Sequence, residues 1–180
     1  MKYQKVIQIK ISDLERVFGK LVKRNHKVLA FDTASRTGWT KITTTDKVAK
    51  FDFGFIDIKS TGDKRFNDFI DIINHIIVDV DSVIMEDTYM RFNVKVFKLL
   101  TRLGAFIYCL CELKCLKDKT FITPSASRSY LGLDSKAKKE DVHIHFHKLL
   151  PRFDKIVDVD IIDSIILALN GIMDNPKMEV

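Results

Sequence analysis

The chain has 180 residues, a hydrophobic fraction of 46% and a charged fraction of 30%, which is typical of one soluble globular domain with one core. The apolar stretches are too short to span a bilayer, and the N-terminus leads into no signal-peptide core. The three cysteines lack the spacing of a zinc site, so we expect buried, reduced thiols in a cytoplasmic protein. The net charge is +6, and basic residues are concentrated in residues 2–27 and 114–155; this asymmetry favours a polyanionic partner, nucleic acid above all, with solvated surface lysines as the alternative.

The first 26 residues predict a strand and a helix ahead of the main fold. Ile7, Ile9 and Ile11 alternate with polar residues, as in a short strand. Residues 12–15 have the pattern of a capping box, and an apolar stripe at helical spacing follows. We expect residues 1–26 to form an extension that packs on the protomer's own core or across a dimer, and residues 27–180 to form the main domain.

In the main domain, the sequence predicts strands over 27–31, 39–43 and 51–58, and the short links between them favour an antiparallel meander. A helix over 66–77, a strand over 83–85, a long helix over 92–113 and a strand over 120–123 follow. Short helices beginning at 124 and 138 and a last helix over 159–173 complete the order. A helix between the fourth and fifth strands implies a parallel crossover. We therefore predict an α/β fold, a mixed five-stranded sheet flanked by helices.

Four carboxylates stand where elements begin or end. Asp32 ends the first strand of the main domain, Glu86 ends the fourth, and Asp160 and Asp163 lie one turn apart at the start of the last helix. If the first and fourth strands are adjacent and the last helix crosses the sheet, all four carboxylates lie close together. Carboxylates are hard ligands that suit Mg²⁺ or Mn²⁺, and grouping them is costly unless a cation neutralises them. The alternative is that they are capping and surface acids.

Four segments, in this order along the chain, resemble those of a known family. They are Leu29-Ala30-Phe31-Asp32-Thr33-Ala34, Ile84-Met85-Glu86-Asp87-Thr88-Tyr89, Lys139-Glu140-Asp141-Val142 and Asp160-Ile161-Ile162-Asp163-Ser164. The set resembles the RuvC-type Holliday junction resolvases of the RNase H-like superfamily, most closely the phage-type members. Two features depart from the family pattern. Residues 1–26 precede its usual start, and Arg128 stands where many members carry lysine.

The resemblance implies an RNase H-like fold and a metal-dependent endonuclease that resolves four-way junctions by paired symmetric nicks. It implies that Asp32, Glu86, Asp160 and Asp163 bind two Mg²⁺ or Mn²⁺ ions, and that the products carry 5′-phosphate and 3′-hydroxyl ends. A homodimer is expected, because two opposed nicks need two sites. Two alternatives stay open: a broader nuclease acting on forks, flaps and Y-junctions, and a non-catalytic nucleic-acid-binding module on the same fold.

The resemblance also implies a set of DNA contacts. Tyr89 would stack on unpaired bases at the branch point, with Phe92 as a competing candidate and a packed tyrosine as the alternative. Lys139 would bind phosphate and stabilise charge that develops during catalysis. The other expected DNA-binding residues are Arg91, Arg128, Lys136 and Lys138, although Lys136 and Lys138 fit solvated lysines equally well.

Three histidines, His143, His145 and His147, form no HExxH-like set. We interpret them as solvated or phosphate-contacting residues.

Overall fold

A computed structural model of the chain describes residues 2–34, 36–87, 93–134 and 136–174. The strands are β1 (Lys2–Lys10), β2 (Lys27–Asp32), β3 (Arg36–Thr44), β4 (Val48–Asp57), β5 (Ser82–Glu86) and β6 (Asp118–Ile122). The helices are α1 (Ile11–Phe18), α2 (Gly62–Ile76), α3 (Val94–Leu113), α4 (Pro124–Tyr130), α5 (Lys139–Leu149) and α6 (Val159–Ile172), with a 3-10 turn at Pro151–Phe153.

The strands form one mixed sheet in the order β1-β4-β3-β2-β5-β6. Strands β2, β3 and β4 are the antiparallel meander, and β5 and β6 extend it in parallel from β2. The predicted α/β architecture is therefore confirmed. The sheet has a sixth strand because β1, from the N-terminal segment, pairs antiparallel with β4.

Strand β2 lies at the centre of the sheet and is covered on both faces. Val28 and Ala30 belong to the core layer that contains α6, whereas Leu29 and Phe31 belong to the layer under α2 and α3. This explains why β2 is a continuous apolar run instead of an alternating one. Asp32 ends that run at the carboxyl edge of the strand.

The N-terminal segment packs on this chain's own core. Ile11 and Leu14 of α1 are buried in the same layer as Phe51. The predicted capping box is wrong, because α1 begins at Ile11 and its N-cap, Lys10, makes no side-chain capping bond. Strand β1 runs directly into the helix, and the Ile11 backbone N–H already donates to the Lys47 carbonyl at 2.9 Å.

Helix α6 crosses the sheet at very close range, and two glycines permit this approach. A Cβ atom at Gly171 would lie 2.4 Å from Val28 Cγ2 near the C-terminal end of the helix. A Cβ atom at Gly38 would lie 2.0 Å from the carbonyl oxygen of Asp160 in its first turn. The residues from Ile161 to Ile172 are all buried. The start of α6 is thus fixed beside the strand that pairs with β2.

The expectation of buried thiols holds for one of the three cysteines. Cys111 is buried, but Cys109 and Cys115 are exposed, and all three are free thiols. The exposed pair lies on or just after α3, of which only a narrow stripe faces the sheet. Within the described ranges, α3 and the other helices are each too short or too polar to cross a membrane.

Candidate active site

Asp32 and Glu86 meet at the carboxyl edge of the sheet. Phe31 pairs with Met85 in the parallel β2–β5 register, so the next residue of each strand is one of the two acids. Asp32 is only 5% exposed. After burial, the charge of Glu86 is the largest influence that raises the pKa of Asp32. The two strands therefore place a pair of largely buried carboxyl groups close together.

The first turn of α6 brings the other two acids to this edge. Asp158 caps the helix, because its side chain accepts from the backbone N–H of Asp160 at 3.2 Å and of Ile161 at 3.4 Å. Gly38 lies under the Asp160 carbonyl and also pairs with Asp32 in the sheet. The charges of Asp160 and Asp163 both raise the pKa of Asp32. All four predicted acids therefore belong to one electrostatic cluster.

The cluster carries more negative charge than its surroundings balance. Burial, followed by the charges of Glu86 and Asp163, raises the pKa of Asp32 well above its ordinary value. Burial, followed by the charge of Asp163, raises the pKa of Glu86 from 4.5 to about 7, although Lys139 and Arg128 oppose the shift. Such shifts are typical of carboxylates that share a site without a cation.

Lys139, the first residue of α5, is the basic group inside the cluster. Its Nζ lies 2.5 Å from Asp163 Oδ2 and 4.0 Å from Asp160 Oδ1. Burial alone would lower the pKa of Lys139, but the charge of Asp163 and its hydrogen bond raise it above its ordinary value. Burial also acts to raise the pKa of Asp163, yet a hydrogen bond from His143 and the charge of Lys139 lower it overall. Asp163 is therefore an ionised acid held by two nitrogen donors.

The donor set fits a hard divalent cation, since it offers four carboxylates, and the pKa values of Asp32 and Glu86 remain raised although Lys139 opposes both shifts. Within the described residues, no group of three or more His, Cys, Asp or Glu side chains is arranged to hold an ion as it stands. The position of Lys139 gives a physical reason. Its ammonium lies between the two α6 carboxylates, so a bound ion requires that this side chain or its neighbours move.

The expected phosphate-binding residues border this cluster to different degrees. Arg128 lies on α4, donates from Nη1 to the Ala137 carbonyl at 3.4 Å, and its charge reaches Glu86. Lys138 stands at the N-cap position of α5 without a side-chain capping bond, and Lys136 lies in the loop ahead of it; both are exposed. The remaining expected DNA contacts lie outside the described residues, namely Tyr89, Arg91 and Phe92.

Two further residues touch the cluster, and sequence reasoning missed both roles. His143 was expected to be solvated or to contact phosphate, which is wrong: it is 7% exposed, and its Nε2 lies 3.0 Å from Asp163 Oδ1. Arg36 falls in the predicted link between the strands over 27–31 and 39–43, but it begins β3 and contacts Asp160 from Nε at 3.1 Å. One signal existed for His143, which lies four residues after Lys139 and so shares its helix face.

The comparisons with known proteins agree with this geometry. The family model "Crossover junction endodeoxyribonuclease RuvC" matches residues 28–171, most of the chain. The chain belongs to the RuvC family. It is thus a crossover junction endodeoxyribonuclease by family, and the nucleases of this family depend on divalent metal ions. No curated protein that was compared matches the sequence at a significant level.

Two solved RuvC structures share the fold. The Thermus thermophilus RuvC structure is 10% identical, with a TM-score of 0.66, and the match covers 82% of this chain and 98% of that one. The structure of T. thermophilus RuvC in complex with a Holliday junction substrate is 11% identical, with a TM-score of 0.69, and the match covers 83% and 98%. At this identity the likeness shows the RNase H-like fold, in agreement with the prediction.

Proposed function

We propose that this chain is a metal-dependent, structure-selective DNA endonuclease that resolves four-way junctions by paired symmetric nicks. The observation that carries the proposal is the charge cluster of Asp32, Glu86, Asp160 and Asp163 around the ammonium of Lys139. Membership of the RuvC family supports the reaction class, and the junction bound to Thermus RuvC supports the substrate class. We also assign the chain to the phage-type branch, on its sequence motifs alone.

The four acids would hold two Mg²⁺ or Mn²⁺ ions. When bound, the ions supply the positive charge that activates the attacking water and stabilises the leaving 3′ oxygen, which leaves 5′-phosphate and 3′-hydroxyl ends. The chain's own part is to fix the acids and to manage protons. Glu86, with its pKa raised to about 7, exchanges protons readily near neutral pH, so ion binding and proton release are linked there.

Lys139 has two states in this proposal. Without a cation, its ammonium neutralises Asp163 at 2.5 Å. With the acids engaged by ions, the same side chain is released toward solvent and is free to donate to a phosphate oxygen at the scissile bond. A cation at that oxygen stabilises the charge that develops in the transition state. This assigns Lys139 both a structural and a catalytic role.

The DNA would cross the edge of the sheet above this cluster. Arg128, Lys136 and Lys138 surround the start of α5 and would bind phosphates along that path. Tyr89, Arg91 and Phe92 follow Glu86 directly in sequence, so we assign the branch-point contact to that segment. This assignment rests on the sequence and on family resemblance.

We further propose that the enzyme acts inside the cell as a homodimer, since a symmetric junction needs two opposed sites. A candidate contact surface lies at the β6 edge of the sheet. There Tyr108 and Phe121 stack with ring centroids 6.1 Å apart, although they are 37% and 42% exposed. Exposed stacked aromatic residues beside an open strand edge are suited to a protein partner. Sedimentation of the protein and of a Tyr108→Ala variant tests this surface.

Cleavage mapping tests the proposed function. A mobile four-way junction, a replication fork, a flap, a Y-junction and linear duplex are each incubated with the protein and Mg²⁺, and the nick positions are mapped on every strand. We expect paired nicks on the four-way junction, sealed by ligase, and little cleavage of linear duplex. Asp32→Asn should bind junctions without nicking them, whereas Asp63→Asn, at an exposed residue in the first turn of α2, should nick normally.

The two alternatives give different results in the same experiment. Equal cleavage of forks, flaps and four-way junctions would replace the proposal with a broader debranching nuclease. Junction binding without nicking in Mg²⁺ or Mn²⁺ would replace it with a binding module. The buried acids argue against a binding module, since their mutual repulsion destabilises the fold and a binding surface gains nothing from it.

A further inference from the structure

Each of the two α6 carboxylates has one oxygen held by a nitrogen donor from another element. Asp160 accepts from Arg36 Nε through Oδ2 at 3.1 Å. Asp163 is paired with His143 Nε2 through Oδ1 at 3.0 Å. An ionised carboxylate can only accept, so the proton in the second contact belongs to His143. In both acids, therefore, one oxygen is already committed.

The uncommitted oxygens face the same place. Lys139 Nζ lies 2.5 Å from Asp163 Oδ2 and 4.0 Å from Asp160 Oδ1. These are the two oxygens that Arg36 and His143 leave free. The ammonium therefore marks where a positive charge is favourable in this site. Each α6 acid offers one oxygen, not two, to that position.

Both donors are themselves held in place. Arg36 also hydrogen-bonds Asp158, the cap of α6, and its guanidinium lies 4.3 Å from the centroid of the Phe55 ring. His143 is buried on the face of α5 that packs toward the core, between Val142 and Phe146. A donor that is fixed by a second contact or by burial keeps its partner in one rotamer. The two acids are thus restrained from rotating to present both oxygens.

The geometry points to Arg36 and His143 as positioning residues that restrict Asp160 and Asp163 to one-oxygen coordination, so that the site discriminates for Mg²⁺ or Mn²⁺ and against Ca²⁺. Mg²⁺ takes six ligands in near-ideal octahedral geometry and retains waters, which single oxygens satisfy. Ca²⁺ takes six to eight oxygen ligands and often binds both oxygens of one carboxylate. This inference rests on the proposed function of the same acids, but it concerns ion choice and not the reaction.

Competition for bound Mn²⁺ tests the inference without DNA and without cleavage. Electron paramagnetic resonance measures the free Mn²⁺ that appears as Mg²⁺ or Ca²⁺ displaces bound Mn²⁺. The two titrations give the Mg²⁺ affinity and the Ca²⁺ affinity of each protein. For His143→Leu and for Arg36→Met we expect Mg²⁺ affinity to fall by about 10–100-fold, the usual effect of losing a group that orients a metal ligand. Ca²⁺ affinity should fall far less, so the ratio of the two affinities moves toward Ca²⁺.

Two further variants separate positioning from a structural effect. His143→Gln keeps an N–H donor at a similar reach and should restore the ratio toward that of the unchanged protein. His145→Leu, on the exposed face of the same helix, should leave both affinities unchanged. Thermal melting shows which variants are folded, and Arg36→Met, which frees the other acid, still tests the inference if His143→Leu does not fold.

The outcomes are distinct. A shifted ratio that His143→Gln restores supports the inference. Equal losses for Mg²⁺ and Ca²⁺, or an unchanged ratio, in folded His143→Leu and Arg36→Met overturn it while leaving the proposed function intact. If the unchanged protein binds none of the three ions, the proposed metal site fails, and this inference fails with it.

Discussion

Asp32 and Glu86 end two neighbouring parallel strands, which places their carboxyl groups close together in a largely buried site. Burial and the negative charge of neighbouring acids disfavour the ionised form of both groups. The pKa of Glu86 is raised to about 7, and that of Asp32 is raised well above its ordinary value. Metal binding and fold stability are coupled through these protons.

The first prediction concerns the stability of the metal-free protein. The folded pKa of Glu86 lies above its ordinary value, so the stability it contributes is complete below that ordinary value and is lost as pH rises through about 7. The shift from 4.5 to about 7 corresponds to on the order of 3 kcal/mol at most. Thermal melting in a chelator should show Tm falling by roughly 6–12 °C between about pH 5 and pH 8.

Glu86→Gln is the control for that pH dependence, because an amide does not titrate. Its melting temperature should change less across the same range, and Mg²⁺ should raise the Tm of the unchanged protein at the alkaline end. A Tm profile that is identical in the two proteins would assign the pH dependence to other groups.

The second prediction separates stability from activity at one residue. Asp32→Asn removes a charge from the most buried acid of the cluster without changing its shape. The metal-free variant should therefore melt higher than the unchanged protein at alkaline pH, while junction nicking in Mg²⁺ is lost. Melting curves and single-turnover cleavage measure the two effects. A variant that nicks at the normal rate would remove Asp32 from the site.

The sequence was most informative where a local pattern dictates position. The continuous apolar run of β2 indicates a central strand, so the placement of β5 beside it, and of Glu86 beside Asp32, was predictable. The three-residue spacing of Asp160 and Asp163 was sufficient to predict that the two acids share one face of a helix. Arg36 and His143 were missed because their contacts join residues 124 and 20 positions apart, across elements whose relative placement no local pattern encodes.

The third prediction concerns the close approach of α6. Gly38→Ala would place a methyl group 2.0 Å from the carbonyl oxygen of Asp160, a backbone atom that cannot rotate away. The start of α6 must then shift, which should cost about 1–3 kcal/mol of stability and weaken Mn²⁺ binding. The matched control is Gly104→Ala on α3, where the nearest heavy atom is Phe121 Cε1 at 3.4 Å. Metal binding by Gly38→Ala at full strength would show that α6 does not position the acids.

The fourth prediction concerns charge at the start of α5. Replacing both Lys136 and Lys138 by Ala should lower the slope of log affinity against log salt by about 1.8 for a four-way junction, because each phosphate contact contributes roughly 0.9. Lys114 and Lys117 form the control pair. They precede the first residue of β6, whereas Glu86 pairs with the last residue of that strand. Fluorescence anisotropy over a salt series gives the slopes. Equal slopes for the two double variants would place the DNA elsewhere.

The last prediction concerns the N-terminal segment, which supplies both an edge strand and part of the core. Leu14 is fully buried in the layer that also contains Phe51 and Phe153, whereas Leu21 is 67% exposed although it lies only seven residues later. Leu14→Ala should therefore cost about 2–5 kcal/mol, and Leu21→Ala should cost less than about 0.5 kcal/mol. Urea unfolding of both variants measures the difference. Comparable small losses would show that the main domain is stable without this segment and that residues 1–26 are an appendage; a large loss confined to Leu14→Ala would make the segment part of the nuclease core.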